Sequence, residues 1–345
     1  MASARPELLI ACKGFWPHVG GVEEAARRLA VPLADDFRVT VLAVSDDRSG
    51  CDTCCKHIRV VKLPLLMRPL STPIAAGFAQ AFRRLAASSD IIHVHSPWPM
   101  GELALLTARL RSPVVLTWHF DIVKQRAVAP LYRPLVAAVL KRCARVICSN
   151  PNLAATSPYL ANCGEKLAVI PFGIETSAWE PRGDEASEVE RIRLRNKHPL
   201  VLFVGRLVYY KGVDVLLRAI AQIDANLALI GTGPLEDELK RLARSLRIEG
   251  RVAFLGALPN RDLRLYYNAC DVFVLPSVAR SEAFGLVLLE AMCAGKPLIT
   301  TELGTGTSWI NQHGQTGLVV PPRDPGALAQ AISMIAADRT LADEY

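Results

Sequence analysis

Three features of the chain predict a doubly wound α/β protein in two domains. Short apolar runs alternate with helix-forming stretches, and each run ends in glycine or polar residues, as parallel strands feeding helices do. A strand–glycine–helix opening occurs twice, at Leu8 to Ala30 and again at Leu200 to Ala221. Between the halves, Glu175 to Pro199 turns charged and polar, with Glu180-Pro-Arg-Gly-Asp-Glu185 and Arg191-Ile-Arg-Leu-Arg195. At 345 residues the chain suits two cores of ordinary size. The expected division is a domain over 1–175, a linker over 176–199 and a domain over 200–345, with a cleft between the halves.

In the first half, Leu8-Leu-Ile-Ala11 reads as a buried strand, followed by Gly20-Gly21-Val-Glu23-Glu24 and a helix through Ala30. Paired glycines ahead of a helix allow backbone N–H groups to approach a phosphate at the positive end of the helix dipole, although such a pair is also an ordinary tight turn. Val39–Val44 and Ile58–Leu63 are two further strands. Cys51, Cys54, Cys55 and His57 could ligate zinc, but no second cysteine pair stands at finger spacing, so a surface loop is expected there. A proline-bounded loop over Pro64–Pro73 leads into an Ala-rich helix, Ile74 to Ala87, with Arg83 and Arg84. Asp90-Ile-Ile-His93-Val-His95-Ser-Pro97 is a strand whose two histidines share a face. With no third ligand in view, a hydrogen-bonded role at the cleft floor is expected for them rather than a metal site. Val114-Val-Leu-Thr117-Trp118-His119-Phe120-Asp121 repeats the plan, placing His119 at the carboxyl end of a strand, where ligands bind in open α/β sheets. A helix over Leu131–Cys143 and strands in Val146-Ile-Cys-Ser-Asn150-Pro151 and Leu167-Ala-Val-Ile-Pro171-Phe-Gly-Ile174 complete the half.

The second half runs Leu200-Val-Leu-Phe-Val-Gly205-Arg206-Leu207, Lys211-Gly212 and a helix from Val213 to Ala221. Two cations five residues apart beside a glycine can clamp one diphosphate from two sides, though alone they are equally a surface arginine and lysine on a βα turn. A strand at Leu227–Ile230, a helix over Leu235–Leu246, a strand at Val252–Leu255 and a helix over Leu263–Asn268 follow. Asp271–Leu275 is a buried strand, and Pro276-Ser-Val-Ala-Arg-Ser-Glu282-Ala-Phe284-Gly285-Leu286-Val-Leu-Leu-Glu290 then reads as loop, glycine and helix. Glu282 falls in the loop and Glu290 two turns into the helix, about 12 Å apart if all the intervening residues were helical. A carboxylate inside an apolar helix needs a partner or a hydroxyl to accept from.

Together these stretches resemble the retaining GT-B glycosyltransferases of family 4, over nearly the whole chain. The resemblance rests on the Glu282-any-seven-Glu290 spacing, on Gly205-Arg206 with Lys211, on Gly20-Gly21-Val-Glu23, and on Thr117-any-His119. It implies two Rossmann-like domains facing each other across a cleft, the first on the acceptor side and the second binding the nucleotide sugar. It also implies transfer of a hexose from a nucleotide diphosphate sugar without a metal or other cofactor. It places Arg206 and Lys211 on the leaving diphosphate and Glu282 and His119 beside the sugar. Glu290 falls on the ribose, with the backbone at Gly20, Gly21, Gly205, Phe284, Gly285 and Leu286 around the donor. The chain contains no Asp-any-Asp pair, the usual holder of a divalent ion in the other glycosyltransferase fold. In place of the Gly-Gly-any-Glu loop of many relatives, this chain has Thr301-Glu302-Leu-Gly304-Thr-Gly306-Thr-Ser308, a variant resembling an O-antigen and exopolysaccharide subgroup with mannosyltransferases among it. Members usually continue past the equivalent of Tyr345 with a helix crossing back onto the first domain. A sugar phosphorylase or epimerase on the same fold, and a non-catalytic sugar-nucleotide binder, are the alternatives.

Charge adds a partner. Residues 1–180 hold 21 Lys and Arg against 14 Asp and Glu, whereas residues 181–345 hold 19 of each, so the net charge of +7 belongs to the first half. Arg68, Arg83, Arg84, Arg133, Lys141 and Arg142 are the candidate contacts with an anionic membrane or a polyprenyl-diphosphate-linked acceptor. No basic stripe with interleaved aromatics suggests nucleic acid. No apolar run spans a membrane and no secretory signal opens the chain. The nine cysteines, most in apolar surroundings, fit reduced thiols, so a cytoplasmic protein, peripheral at the inner membrane face, is expected.

Overall fold

The computed structural model describes residues 5–17, 20–55, 57–69, 72–122, 129–195 and 198–345, with the backbone alone at Cys55, Ala129 and Leu131. The chain divides into two compact units between Gly173 and Ile174.

The first unit contains, in order, β1 (Glu7–Ala11), α1 (Gly21–Leu33), β2 (Arg38–Val44), β3 (Cys51–Cys55), β4 (Ile58–Leu63), α2 (Phe78–Ala86) and β5 (Ile91–Ser96). Then come α3 (Pro99–Thr107), β6 (Val114–Trp118), α4 (Ala129–Arg142), β7 (Arg145–Cys148), α5 (Pro151–Thr156) and β8 (Leu167–Val169). The strands form one sheet in the order β3-β4-β2-β1-β5-β6-β7-β8, parallel except for β3. Alternation along β1 explains its double burial. Leu9 and Ala11 pack into the core under α2, α3 and α4, while Leu8 and Ile10 pack with Ala26 and Ala30 of α1 on the other face. Strand order reverses between β1 and β5, and the crevice at such a reversal, beyond the carboxyl ends, is where open α/β sheets bind ligands.

The second unit contains α6 (Glu185–Arg195), β9 (Leu200–Val204), α7 (Val213–Ile220), β10 (Asn226–Ile230), α8 (Glu236–Ser245), β11 (Val252–Phe254) and α9 (Asn260–Ala269). It continues with β12 (Val272–Leu275), α10 (Leu286–Cys293), β13 (Leu298–Thr301), α11 (Gly306–Ile310), β14 (Gly317–Val320), α12 (Pro325–Ala337) and α13 (Arg339–Glu344). Its parallel sheet runs β11-β10-β9-β12-β13-β14, so the reversal lies between β9 and β12. Every residue of β9 and of β12 is buried, which accounts for their unbroken apolar runs. Helix starts follow local chemistry: the Asp324 carboxylate accepts from Ala327 N ahead of Pro325, and the Asn150 side chain accepts from Leu153 N ahead of Pro151.

Several elements depart from the sequence reading. Cys51–Cys55, expected as a loop, is an edge strand paired antiparallel to β4, with His57 at positive φ in the turn between them. The helix expected from Ile74 begins only at Phe78. Ile74 bonds instead with Met67 in an isolated bridge, and Gly77 at φ 73° turns the chain into α2. Within the segment read as a linker, Glu185–Arg195 is helical and packed on α9. Arg264 of α9 donates to both carboxylate oxygens of Glu185, at 2.6 and 2.9 Å, and its guanidinium holds that carboxyl down to about 2. Among the described residues no helix is long and apolar enough to cross a membrane.

Candidate active site

In the second unit the site is built from the loops that leave β9 and β12 on either side of the strand-order reversal. The first runs through Gly205 and Arg206 to a 3-10 turn at Tyr209–Lys211 and Gly212. The second runs from Pro276 to Gly285. They touch closely because residue 212 has no side chain: at φ 65° a Cβ there would stand 2.1 Å from the Pro276 carbonyl oxygen. Val278 N donates to Tyr210 O at 2.7 Å across the same seam.

That contact delivers Lys211 to Glu282. Lys211 Nζ lies 2.5 Å from Glu282 Oε2, both side chains about one-tenth exposed, and Ser277 Oγ donates to the same oxygen at 3.1 Å. Burial works against the ammonium, but the neighbouring Glu282 carboxylate more than offsets it, so the Lys211 pKa is raised. Arg206 is exposed, and its guanidinium makes no hydrogen bond or ion pair among the described residues. Burial raises the Tyr210 hydroxyl, Lys211 and Arg206 pull it down, and Glu282 pushes it up, which places all four groups in one electrostatic cluster.

The loop bearing Glu282 is braced by the Thr301–Ser308 stretch that departs from the family pattern. Thr301 Oγ1 donates to Ser277 O, Thr305 Oγ1 to Glu282 O at 2.7 Å, and Arg280 Nη1 to Leu303 O and Gly304 O, both at 3.1 Å. Gly285, at φ 86°, turns the chain into α10, leaving the Leu286 and Val287 N–H groups at its open start before Leu288 N donates to Gly285 O at 2.8 Å. The Phe284 side chain faces inward onto Trp309, ring centroids 6.4 Å apart, so only its backbone borders the loop surface. Since α10 starts at Leu286, Glu290 lies one turn inside it rather than two, and the 12 Å helical estimate does not apply. Glu290 is buried, and Tyr267 Oη of α9 donates to its Oε2 at 2.9 Å. Tyr267, Ser277, Thr301 and Thr305 were not among the expected site residues. Ser277 sat inside the loop motif and the threonines inside its departure, whereas Tyr267 lay in a helix with no local signal.

In the first unit, Gly20 caps α1 and Gly21 is its first residue. A Cβ on Gly20 would stand 2.3 Å from Glu23 Oε2, whereas one on Gly21 would meet nothing within 4 Å. Glu23 is buried 3.9 Å from Lys13, and Glu24 pairs with Arg27 and Arg28. His93, His95 and His119 form a row along β5 and the end of β6 with centroids 4.9 and 5.0 Å apart and planes within 20° of parallel, and the Phe172 ring lies nearly parallel to His119 at 5.7 Å. His93 Nε2 bonds Thr117 Oγ1 and His95 Nδ1 bonds His119 Nε2, each at 2.7 Å. Burial drives all three pKa values down, His93 to about 4, and His119 to about 3 with help from Lys13 and His93.

Of the basic residues singled out for a membrane, Arg83, Arg84 and Lys141 are exposed. Arg142 instead donates to Leu106 O and Ala108 O, and Arg68 pairs with Asp46 at 3.2 Å. Cys51 and Cys54 are exposed free thiols, Cys12, Cys143, Cys148 and Cys270 are buried, and Cys293 is half-buried. Among the described residues no three His, Cys, Asp or Glu side chains are grouped to hold a metal ion.

Two doubly wound, largely parallel sheets, each carrying polar and charged groups at its strand-order reversal, define a two-unit α/β enzyme of the Rossmann type. A model for glycosyl transferases group 1 matches residues 184–345, and a model for glycosyltransferase family 4 matches residues 19–178. The chain is 38% identical over 317 residues to D-rhamnosyltransferase WbpZ of Pseudomonas aeruginosa, covering 91% of this chain and 82% of that one. It is 33% identical over 335 residues to the O-antigen chain mannosyltransferase C of Escherichia coli, covering 96% and 89%. Among solved structures it is similar to a sucrose-phosphate synthase from Thermosynechococcus elongatus, with a TM-score of 0.81, 24% identity and coverage of 99% and 92%. The chain belongs to the GT-B glycosyltransferases of family 4 type.

Proposed function

We propose that this glycosyltransferase moves a hexose from a nucleotide diphosphate sugar to a growing glycan on a lipid-linked acceptor, with retention of configuration and without a metal ion. The observation that carries this reading is the cluster of Arg206, Lys211 and Glu282 at the strand-order reversal of the second unit. Breaking a glycosidic bond to a diphosphate leaves negative charge on the departing oxygen, and fixed cations and helix N-termini stabilise that charge where it develops. Arg206 meets it with an unshared guanidinium, and Lys211 shares its ammonium between Glu282 and the diphosphate. The open starts of α1 at Gly20 and Gly21 and of α10 at Gly285 add backbone N–H groups. Glu290 accepts from the ribose hydroxyls, held by Tyr267, while Glu282 and His119 orient the sugar.

Relatives named for mannose and for D-rhamnose, its 6-deoxy form, favour a hexose of the mannose series. The exposed Arg83, Arg84 and Lys141 support peripheral docking of a cytoplasmic protein, each basic group contributing about 1 kcal/mol at an anionic surface.

A thermal-shift screen with GDP-mannose, GDP-rhamnose and UDP-glucose, followed by nucleoside diphosphate release on a polyprenyl-diphosphate glycan, tests the reading. One donor is expected to raise Tm and to turn over only when the acceptor is present. Turnover that requires inorganic phosphate, or binding without transfer to any acceptor, would overturn it. For the membrane, sedimentation should need anionic vesicles, weaken with salt and fall in Arg83→Glu/Arg84→Glu; equal recovery with neutral vesicles would contradict docking.

A further inference from the structure

A neutral imidazole carries one proton, so a hydrogen bond between two neutral rings constrains where both protons sit. His95 Nδ1 and His119 Nε2 share such a bond at 2.7 Å, and one must donate while the other accepts. Burial keeps both rings uncharged. The other nitrogen of His95, Nε2, is buried and has no hydrogen-bond partner among the described residues. If His119 donated, the single proton of His95 would have to sit on that Nε2, a buried N–H facing nothing, the rarest kind of unsatisfied group. If His95 donates from Nδ1, only a lone pair is left unmatched. The proton of His119 must then sit on its Nδ1.

We propose that His95 is a positioning residue that fixes His119 as its Nδ1–H tautomer, so that His119 presents a hydrogen-bond donor rather than an acceptor. The hydrogen bond holds His95 and His119 edge to edge, their planes 20° apart, the Phe172 ring lies nearly parallel to His119 with centroids 5.7 Å apart, and the Thr117 bond to His93 anchors the row. The use of that donor toward a sugar oxygen rests on the role given to His119 above; the tautomer itself does not.

Ring nitrogens of 15N-histidine-labelled protein, read by long-range proton correlation at neutral pH without ligand, test this directly. With seven histidines in the chain, His93, His95 and His119 are assignable by single substitution. The wild type should show His119 protonated at Nδ1 and bare at Nε2, and His95 protonated at Nδ1. His95→Asn, whose amide can donate from the same place, should keep the His119 tautomer. His95→Phe should release it toward Nε2–H and lower kcat/KM about tenfold, the worth of one hydrogen bond. A wild-type His119 protonated at Nε2 overturns the proposal, and that spectrum decides even if His95→Phe does not fold. The predicted tautomer together with full transfer by His119→Ala would leave the proposal standing and overturn the role of His119 instead.

Discussion

Lys211 and Glu282, 71 positions apart in the chain, form a 2.5 Å ion pair in which both side chains are about one-tenth exposed. Removing one partner leaves the other charge buried and uncompensated, which typically costs about 3–5 kcal/mol, whereas removing both costs less. Lys211→Ala and Glu282→Ala are each expected to lower the unfolding free energy by about that amount. Lys211→Met/Glu282→Leu should recover much of it. Equal losses that simply add in the double variant, measured by denaturant unfolding, would show that the two residues are not coupled.

The pairing also separates the two cations kinetically. A loss of kcat in Lys211→Ala mixes chemistry with a disturbed Glu282 loop. Arg206 is exposed and unpaired among the described residues, so its substitution reads the chemistry with little effect on stability.

Acid should weaken the first unit. His93 and His119 have folded values of about 4 and about 3 against 6.5 for the free side chain. Below pH 6.5 the unfolded chain therefore binds protons that the folded chain refuses, and stability falls as pH drops toward 4. Well below 6.5, each buried histidine contributes a slope of about 1.4 kcal/mol per pH unit. His93→Gln keeps a hydrogen-bonding group for Thr117 and removes one titration, so its Tm should fall less steeply over the same range. Parallel curves for variant and wild type would mean that His93 titrates normally in the folded protein.

Tyr267 reaches Glu290 from another helix, and a hydrogen bond to a carboxylate is worth about 1.5–3 kcal/mol. Tyr267→Phe keeps the packing and is expected to weaken donor binding by about tenfold with a smaller change in kcat. Calorimetry with the nucleoside diphosphate alone checks this; unchanged affinity would place Glu290 outside the nucleotide contact.

Gly212→Ala should be among the most damaging small substitutions. It combines a positive φ of 65° with a Cβ 2.1 Å from the Pro276 carbonyl oxygen, on the seam that brings Lys211 to Glu282. A large drop in Tm is expected by scanning calorimetry, and a drop of a degree or less would show that the two loops can separate cheaply.

The buried strands were legible because each is an apolar run ending in a glycine or polar residue, and those ends carry Arg206, Lys211, Glu282 and His119. What the chain hides is pairing over distance. Glu185 and Val189 look like part of a charged linker until Arg264, 79 residues away, turns that face of α6 inward. Cys51–Cys55 is too polar to read as a strand and becomes one only through its ladder with β4. The glutamate spacing was visible, yet Lys211 as the partner of Glu282 and Tyr267 as the partner of Glu290 were not, because no local pattern encodes a contact between different loops or helices.

Nucleoside diphosphate release by the wild type and by Arg206→Ala, each with and without excess chelator, tests the central claim most directly. Wild-type turnover is expected to be unchanged by the chelator, and Arg206→Ala to lose about 100-fold or more in kcat while keeping its Tm. Wild-type turnover abolished by chelation and restored by a divalent ion, or full turnover in Arg206→Ala, would contradict the account.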